Sequence, residues 1–289
     1  MVMLRCSVII PVYNAASSIC DCLDSVLGQT LRDIEVVCVN DGSTDGSEAM
    51  LAEYAAKDSR LRVVNQGKAG QTAARSQGIK EAHGEWIAFC DADDWMERNA
   101  IAEMMAAAER EGADCVCCGI IRDGVDGVSM RKPFDCEGPS DTYNALCNKL
   151  FRRVLLDDLV IDKSVTLGED LMVSAQALRK AKKVVVLDEA FYHYCANSAS
   201  VTHVQNGRKR VEDLARVGKI LRDAMPEARF DDLHDRVTRD ALLLWIRYHL
   251  LDRDLWRELR ARMKGGLLDD KRHGIIKKSA LACAGILFD

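Results

Sequence analysis

The chain reads as an α/β protein with a mostly parallel sheet and helices on both faces. Two observations predict this. Short apolar, β-branched runs alternate with amphipathic helical stretches through the first 120 residues, a rhythm that implies parallel strands joined by crossover helices. Polar clusters then follow Val12, Val39 and Cys90, each at the carboxyl end of a strand run, where open α/β sheets bind their ligands.

The elements follow in order. Residues 6–12, Cys-Ser-Val-Ile-Ile-Pro-Val, form a buried strand, and residues 16–28 carry Ile19, Cys22, Leu23, Val26 and Leu27 along one helical face. A second strand covers 34–39. A helix begins near Asp45, with Asp45 and Glu48 at capping-box spacing. Strand 61–64 precedes helix 71–82, strand 86–90 precedes helix 98–111, and a further strand runs from Ala113 to Ile121. The second half is less regular. It predicts helices near 141–149 and 169–181, a strand at 184–187, and then helices at 207–223, 232–250, 253–263 and 274–287. A boundary near residue 204 divides a domain 1–204, with halves 1–120 and 121–204, from a helical region 205–289.

Bulk properties exclude several classes. With 289 residues and a hydrophobic fraction of 48%, the chain can bury one large core plus an appendage. Its 40 basic and 45 acidic residues give a net charge of -5, against the basic excess of a nucleic-acid binder. No apolar run reaches the ~20 residues of a membrane span, and the N-terminus lacks a signal-peptide pattern. A cytoplasmic protein is expected, with contact at the inner face of the cell membrane left open. The 12 Cys lack the paired spacing of a zinc site. Cys20, Cys22, Cys38, Cys90, Cys115, Cys117 and Cys118 read as small core hydrophobes.

Five constellations carry chemistry. Asp91-Ala92-Asp93-Asp94 follows strand 86–90. Like charges crowded at a strand end call for a cation or for splaying into water, and Mg²⁺ or Mn²⁺ bridges one or two carboxylates to substrate phosphates. The plain alternative is an acidic turn before a helix. In Asn40-Asp41-Gly42-Ser43-Thr44-Asp45-Gly46-Ser47, Asp41 can accept from a base N–H and Gly42 permits close approach of a ligand ring, whereas Asp45 and Ser47 fit a helix cap. Tyr13, after Pro11-Val12, can stack on a planar base or simply sit at the sheet rim. In Gly70 to Gly78, small Ala73 and Ala74 admit close helix-to-sheet packing, and Arg75 can reach a phosphate or brace a carboxylate. Gly67-Lys68 lacks the rest of a P-loop. In Gly168-Glu169-Asp170, the acids either complement a helix dipole or supply a general base.

Taken together, these residues resemble the family 2 glycosyltransferases, whose N-terminal half adopts the GT-A, Rossmann-like fold of nucleotide-diphospho-sugar transferases. Val8 to Asn14, Asn40 to Asp45, Gly70 to Gly78 and Asp91 to Trp95 are similar to the family's motifs in order and spacing, closely over residues 6–120. The resemblance implies that Pro11 and Tyr13 border the nucleobase, that Asp41 hydrogen-bonds it, and that Asp91 contacts the ribose or the water shell of a metal. It places Asp93 on that metal, Mn²⁺ or Mg²⁺, beneath the diphosphate, and Asp170 at the catalytic-base position. Asn148 to Phe151 looks like the segment before the acceptor region. Tyr192-His193-Tyr194 and Ser198 to Thr202 resemble the donor-closing segment. Ser76 departs from the usual Asn after the Arg, and Gly67-Lys68-Ala69 from the usual acidic-Asn pair before the Gly.

The implied activity is metal-dependent, inverting transfer from a nucleotide-diphosphate sugar, with UDP expected by resemblance, to a saccharide or lipid-linked acceptor in cell-surface polysaccharide synthesis. A sugar nucleotidyltransferase would carry a basic Gly-rich loop where this chain has Tyr13-Asn14-Ala15-Ala16. A non-catalytic nucleotide-sugar or carbohydrate-binding module would not need both the acidic cluster and Gly168-Glu169-Asp170. Lys271, Arg272, Lys277 and Lys278 precede the apolar stretch 280–288. Such a terminal helix either docks on the protein or on a second copy, or lies in a bilayer interface.

Overall fold

The structure, a computed structural model, describes residues 4–124, 129–132, 145–195, 207–227, 233–234, 236–238 and 240–241, with 129–132 described by backbone alone. Among the described residues nine strands form one sheet: β1 Cys6–Val12, β2 Ile34–Asp41, β3 Leu61–Gln66, β4 Trp86–Phe89, β5 Trp95–Met96, β6 Cys115–Asp123, β7 Ser129–Lys132, β8 Lys149–Arg152 and β9 Val184–Cys195. The helices are α1 Ile19–Leu27, α2 Ser47–Lys57, α3 Gln71–Glu81, α4 Ala100–Glu111, α5 Glu169–Lys180 and α6 Gly207–Ala224. Strand order is β3-β2-β1-β4-β8-β6-β9-β5, with β7 paired to β6. The chain runs outward from β1 through β2 to β3, then returns to place β4 on the other side of β1. That reversal opens a crevice at the carboxyl ends of β1 and β4.

The sheet is more mixed than the sequence predicts. The pairs β1–β2, β1–β4, β2–β3 and β6–β9 are parallel. The pairs β4–β8, β5–β9, β6–β7 and β6–β8 are antiparallel. The missed strands are short, and two or four residues carry too little alternation to read as strands. Of the stretch expected to be a helix near 141–149, residues 141–144 lie outside the described residues, 145–148 are non-helical, and Lys149 begins strand β8. The segments 253–263 and 274–287, with the basic apolar tail, also lie outside them, while the described residues between 233 and 241 are helical. No helix among the described residues is long and apolar enough to cross a membrane.

Side chains alternate across the sheet. Val8, Ile10 and Val12 of β1 and Val36 and Cys38 of β2 face Ile19, Leu23 and Val26 of α1, Leu51 of α2, and Ile101, Met104 and Met105 of α4. On the opposite face, Ile9, Ile87, Phe89, Cys115 and Phe151 pack with Val173, Ala177 and Leu178 of α5, and Val37 and Val39 pack with Ala74 of α3. Period-two strands are bound to sort their residues in this way. Of the seven cysteines expected in the core, six are buried and Cys20 is half-buried; the ten described cysteines are free thiols. Burial pushes the Cys6 and Cys118 thiols up to about 12, which leaves them inert as nucleophiles.

The capping box expected at Asp45 and Glu48 does not form. Helix α2 starts one residue after Gly46, which has φ 96°, and no side chain caps it. Asp45 instead accepts from the Ser47 N–H at 3.0 Å and from the Ala16 N–H at 2.9 Å.

The chain divides into two compact units. One comprises Met1–Ser164 and Val173–Ser198, the other Val165–Met172 and Ala199–Asp289. The segment 165–172 therefore groups with the C-terminal part, whereas the sequence reading put a single boundary near 204. Within that second unit, Asp213 of α6 is fully buried and accepts from the Thr166 N–H at 2.9 Å and the Thr166 hydroxyl at 2.8 Å.

Close packing of α3 on β1 depends on Gly78, where an added Cβ would meet Ile9 Cγ2 at 2.3 Å. Gly78→Val is expected to lower stability by about 1–3 kcal/mol through overpacking. Thermal melts should show part of the loss restored in the Gly78→Val, Ile9→Ala double variant.

Candidate active site

Three strand ends and two loops build the site. Pro11 is buried within β1, opposite Val39 of β2. It lies beyond Ile9–Phe89, the last β1–β4 pair, so its missing N–H costs no ladder bond toward β4. Past β1 the chain turns through Asn14, which has φ 49°. The turn is held from the loop after β2. The Asn14 N–H donates to Ser43 Oγ at 3.1 Å, the Ala15 N–H to Ser47 Oγ at 2.9 Å, and the Thr44 N–H to Asn14 Oδ1 at 2.8 Å. The polar run 43–47 thus fixes where Tyr13 projects. Tyr13 is 40% exposed.

Asp41 ends β2 and is buried, with 3% exposure. Its Oδ1 accepts from Gln66 Nε2 at 2.7 Å and from the Ala69 N–H at 2.8 Å, and its Oδ2 accepts from the Gly70 N–H at 2.8 Å. Three of the roughly four acceptor sites of a carboxylate are thereby engaged. The segment expected to leave room for a ligand ring beside Gly42 holds protein instead. Gly42 has φ +71°, and a Cβ there would meet the Lys68 backbone N at 3.0 Å. Lys68 Nζ reaches on to Tyr13, donating to its hydroxyl at 2.6 Å and lying 4.0 Å from the ring centroid.

The acidic turn after β4 separates its three carboxylates. The Asp94 N–H closes the turn on the Asp91 carbonyl at 3.0 Å. Asp91 Oδ1 accepts from Arg75 Nη2 at 2.7 Å and from Gln71 Nε2 at 3.2 Å. Arg75, buried on α3, braces a carboxylate, which is one of the two roles its sequence position allows. Asp93 is half-buried at the turn. Asp94 faces inward, with 2% exposure. Its Oδ2 accepts from the Tyr192 hydroxyl at 2.6 Å and its Oδ1 from the Cys195 N–H at 2.9 Å. Burial, then the charge of Asp91, push the Asp94 carboxyl up to about 8, even though these two hydrogen bonds favour its charged form.

The Tyr192 hydroxyl also accepts from the Asp91 N–H at 3.1 Å, so one fully buried phenol holds both ends of the turn. Its neighbour His193 stacks on Trp95, with centroids 3.4 Å apart and planes at 14°. The His193 ring nitrogens face Asp123 at 2.9 Å and Glu97 at 3.2 Å. These contacts lock β9 to β5 and β6. Tyr192 and Lys68 are the site residues that residue-level reading missed. The signal for Lys68 was its departure from the family pattern; for Tyr192 only the resemblance pointed to the segment.

Pro11, Tyr13, Asp41, Arg75, Asp91 and Asp93 all belong to the first compact unit; all but Arg75, which reaches Asp91 from α3, lie at or beyond the carboxyl ends of β1, β2 and β4. Asp170 belongs to the second unit. It is half-buried in the first turn of α5, two residues after Gly168, whose φ of +84° starts the helix and whose Cα faces Leu214 of α6.

Residues 7–163 match the model of glycosyl transferase family 2, and the chain belongs to that family. It is 33% identical over 216 residues to the uncharacterized glycosyltransferase EpsJ of Bacillus subtilis (strain 168), a match covering 68% of this chain and 63% of that protein. The chain thus spans just under two thirds of this relative's length. Staphylococcus aureus TarS, named a poly(ribitol-phosphate) beta-N-acetylglucosaminyltransferase, is 25% identical over 245 residues, covering 80% of this chain and 42% of TarS. The structure of TarS 1–349 with UDP-GlcNAc superposes with a TM-score of 0.72 at 21% identity, covering 90% of this chain and 84% of that one. The mannosyltransferase PcManGT of Pyrobaculum calidifontis, solved with GDP-Man and Mn²⁺, superposes at 0.58 with 18% identity, covering 99% and 80%. The fold is the GT-A fold.

Tyr192→Phe should cost about 1–3 kcal/mol, because it leaves the Asp91 N–H and a buried Asp94 oxygen without their shared partner. Urea denaturation of Tyr192→Phe, Asp94→Asn and the double variant should give a loss for the pair smaller than the sum of the singles.

Proposed function

We propose that this chain transfers a sugar, with inversion and with the help of a divalent cation, from a UDP-sugar to a saccharide or lipid-linked acceptor in cell-surface polysaccharide synthesis. The observation that carries this reading is the acidic turn at the sheet's switch point. Asp91, Asp93 and Asp94 gather there, Arg75 pairs with Asp91 at 2.7 Å, and the crowding adds to the upward push on the Asp94 carboxyl.

The residues present fit Mg²⁺ or Mn²⁺. The donor set is oxygen-only, which suits these ions. Among the described residues no group of three or more His, Cys, Asp or Glu is disposed to hold a metal by itself. Mg²⁺ is commonly bound through one or two carboxylates plus substrate phosphates. Asp93, half-buried at the turn after β4, is the proposed ligand, the role that the family's motif implies for it. When bound, the ion neutralises charge on the diphosphate leaving group.

The chain's own residues take the remaining roles. Tyr13 and Pro11 border the base, and Asp41, its loop already fixed, accepts from a base N–H. Asp170 takes the proton of the acceptor hydroxyl as that oxygen forms its bond to the anomeric carbon, while the bond to the diphosphate breaks and its electron pair leaves with the phosphate oxygen. TarS solved with UDP-GlcNAc supports a uridine donor, and PcManGT with Mn²⁺ supports a divalent ion.

Two measurements test the reading. UDP-sugars with Mn²⁺ should raise the melting temperature by mass action. EDTA should abolish the shift, and Asp93→Ala should lack it from the start. Asp170→Asn should keep donor binding and lose about 10²–10⁴-fold in turnover; undiminished transfer would remove Asp170 from the mechanism.

A further inference from the structure

We propose that Lys68 selects the donor's nucleobase, by donating a hydrogen bond to a base carbonyl beside the N–H that Asp41 accepts. This rests on the donor reading above and goes beyond it, since the family pattern places no lysine here.

The geometry begins with anchoring. Lys68 directly precedes Ala69 and Gly70, whose N–H groups are both held by the Asp41 carboxylate. Its own backbone packs against Gly42, close enough that any Cβ there would meet Lys68 N at 3.0 Å and Lys68 Cβ at 3.5 Å. The root of the side chain is therefore fixed at the end of β2. From there the ammonium crosses to the end of β1, where Tyr13 holds it through its hydroxyl at 2.6 Å and its ring face at 4.0 Å. A cation over an aromatic face is held by the ring quadrupole. An ammonium has three donors, and the Tyr13 hydroxyl takes one of them. The side chain is otherwise exposed, so the cation is presented at the mouth of the site.

An acceptor, Asp41 at the end of β2, and a donor, Lys68 in the loop after β3, are then tied together across the two segments. This pair matches a base edge in which an N–H adjoins a carbonyl. Uracil has that edge in its N3–H and O4, and guanine has it in N1–H and O6. Cytosine presents an amino donor where uracil has O4 and a bare ring nitrogen where uracil has N–H. Against cytosine, the Lys68 ammonium would face a donor and the Asp41 carboxylate an acceptor. Sites built to pair a polar group reject the mismatched analogue strongly, because their own groups are left unpaired.

The test is calorimetric titration of UDP and CDP, each with Mn²⁺, into the full chain and two variants. Lys68→Met keeps the stem and loses the donors; Lys68→Arg keeps donors. The wild type should bind UDP at least roughly tenfold more tightly than CDP, the scale of one charge-assisted hydrogen bond. Lys68→Met should weaken UDP by about that factor and leave CDP nearly unchanged, and Lys68→Arg should restore part of the preference. Equal weakening of both nucleotides in Lys68→Met would overturn the proposal, because it would place the ammonium on the phosphates. Equal binding of UDP and CDP by the wild type would also overturn it while leaving the donor reading intact. Failure of the wild type to bind either nucleotide would bring down the donor reading itself.

Discussion

The arrangement of the site turns on one buried phenol. The Tyr192 hydroxyl donates to Asp94 and accepts from the Asp91 N–H, so it draws the Asp94 carboxylate inward and ties the start of the turn to β9, while Arg75 and Gln71 hold the Asp91 carboxylate. With Asp94 drawn into the core, Asp91 and Asp93 remain at the mouth. Without such an anchor, three adjacent like charges would splay according to solvent alone. The anchor arrives from about a hundred residues later in sequence, on a strand that runs parallel to β6 along its length and also pairs with β5 at Tyr192 and His193.

A second constraint acts on the other rim. Asp41 joins the end of β2 to the loop after β3, and Ser43, Asp45 and Ser47 join the loop after β2 to the turn after β1. Each loop is thus held by its neighbour. A polar residue that looks ligand-directed in sequence is, at several of these positions, satisfying backbone N–H groups that would otherwise go unpaired. Holding a site on mutually braced loops gives pre-organised geometry at low reorganisation cost, which suits a proposed role in orienting a nucleotide.

Much of this was legible beforehand. The buried strands at Cys6–Val12 and Ile34–Asp41 and the stripe of α1 are strong local patterns, since apolar periodicity and β-branching decide them within a few residues. The carboxylate cluster and Asp41 were recognisable because acids at strand ends are chemically conspicuous. The two-residue β5, the four-residue β8 and the extension of β9 through Tyr192 were not, because such segments become strands only through the partners they find.

The sequence by itself determined the alternating α/β frame, the family, and which residue types gather beyond β1, β2 and β4, because each rests on local periodicity or on motif order. Only the tertiary structure decided what those residues do to one another: that Asp94 turns inward, that Arg75 serves Asp91, that Lys68 fills the space beside Gly42, and that residues 165–172 group with the C-terminal unit. The physical reason is that hydrogen bonds and burial are properties of neighbours in space, and here the neighbours lie from about 16 to about 100 residues apart along the chain.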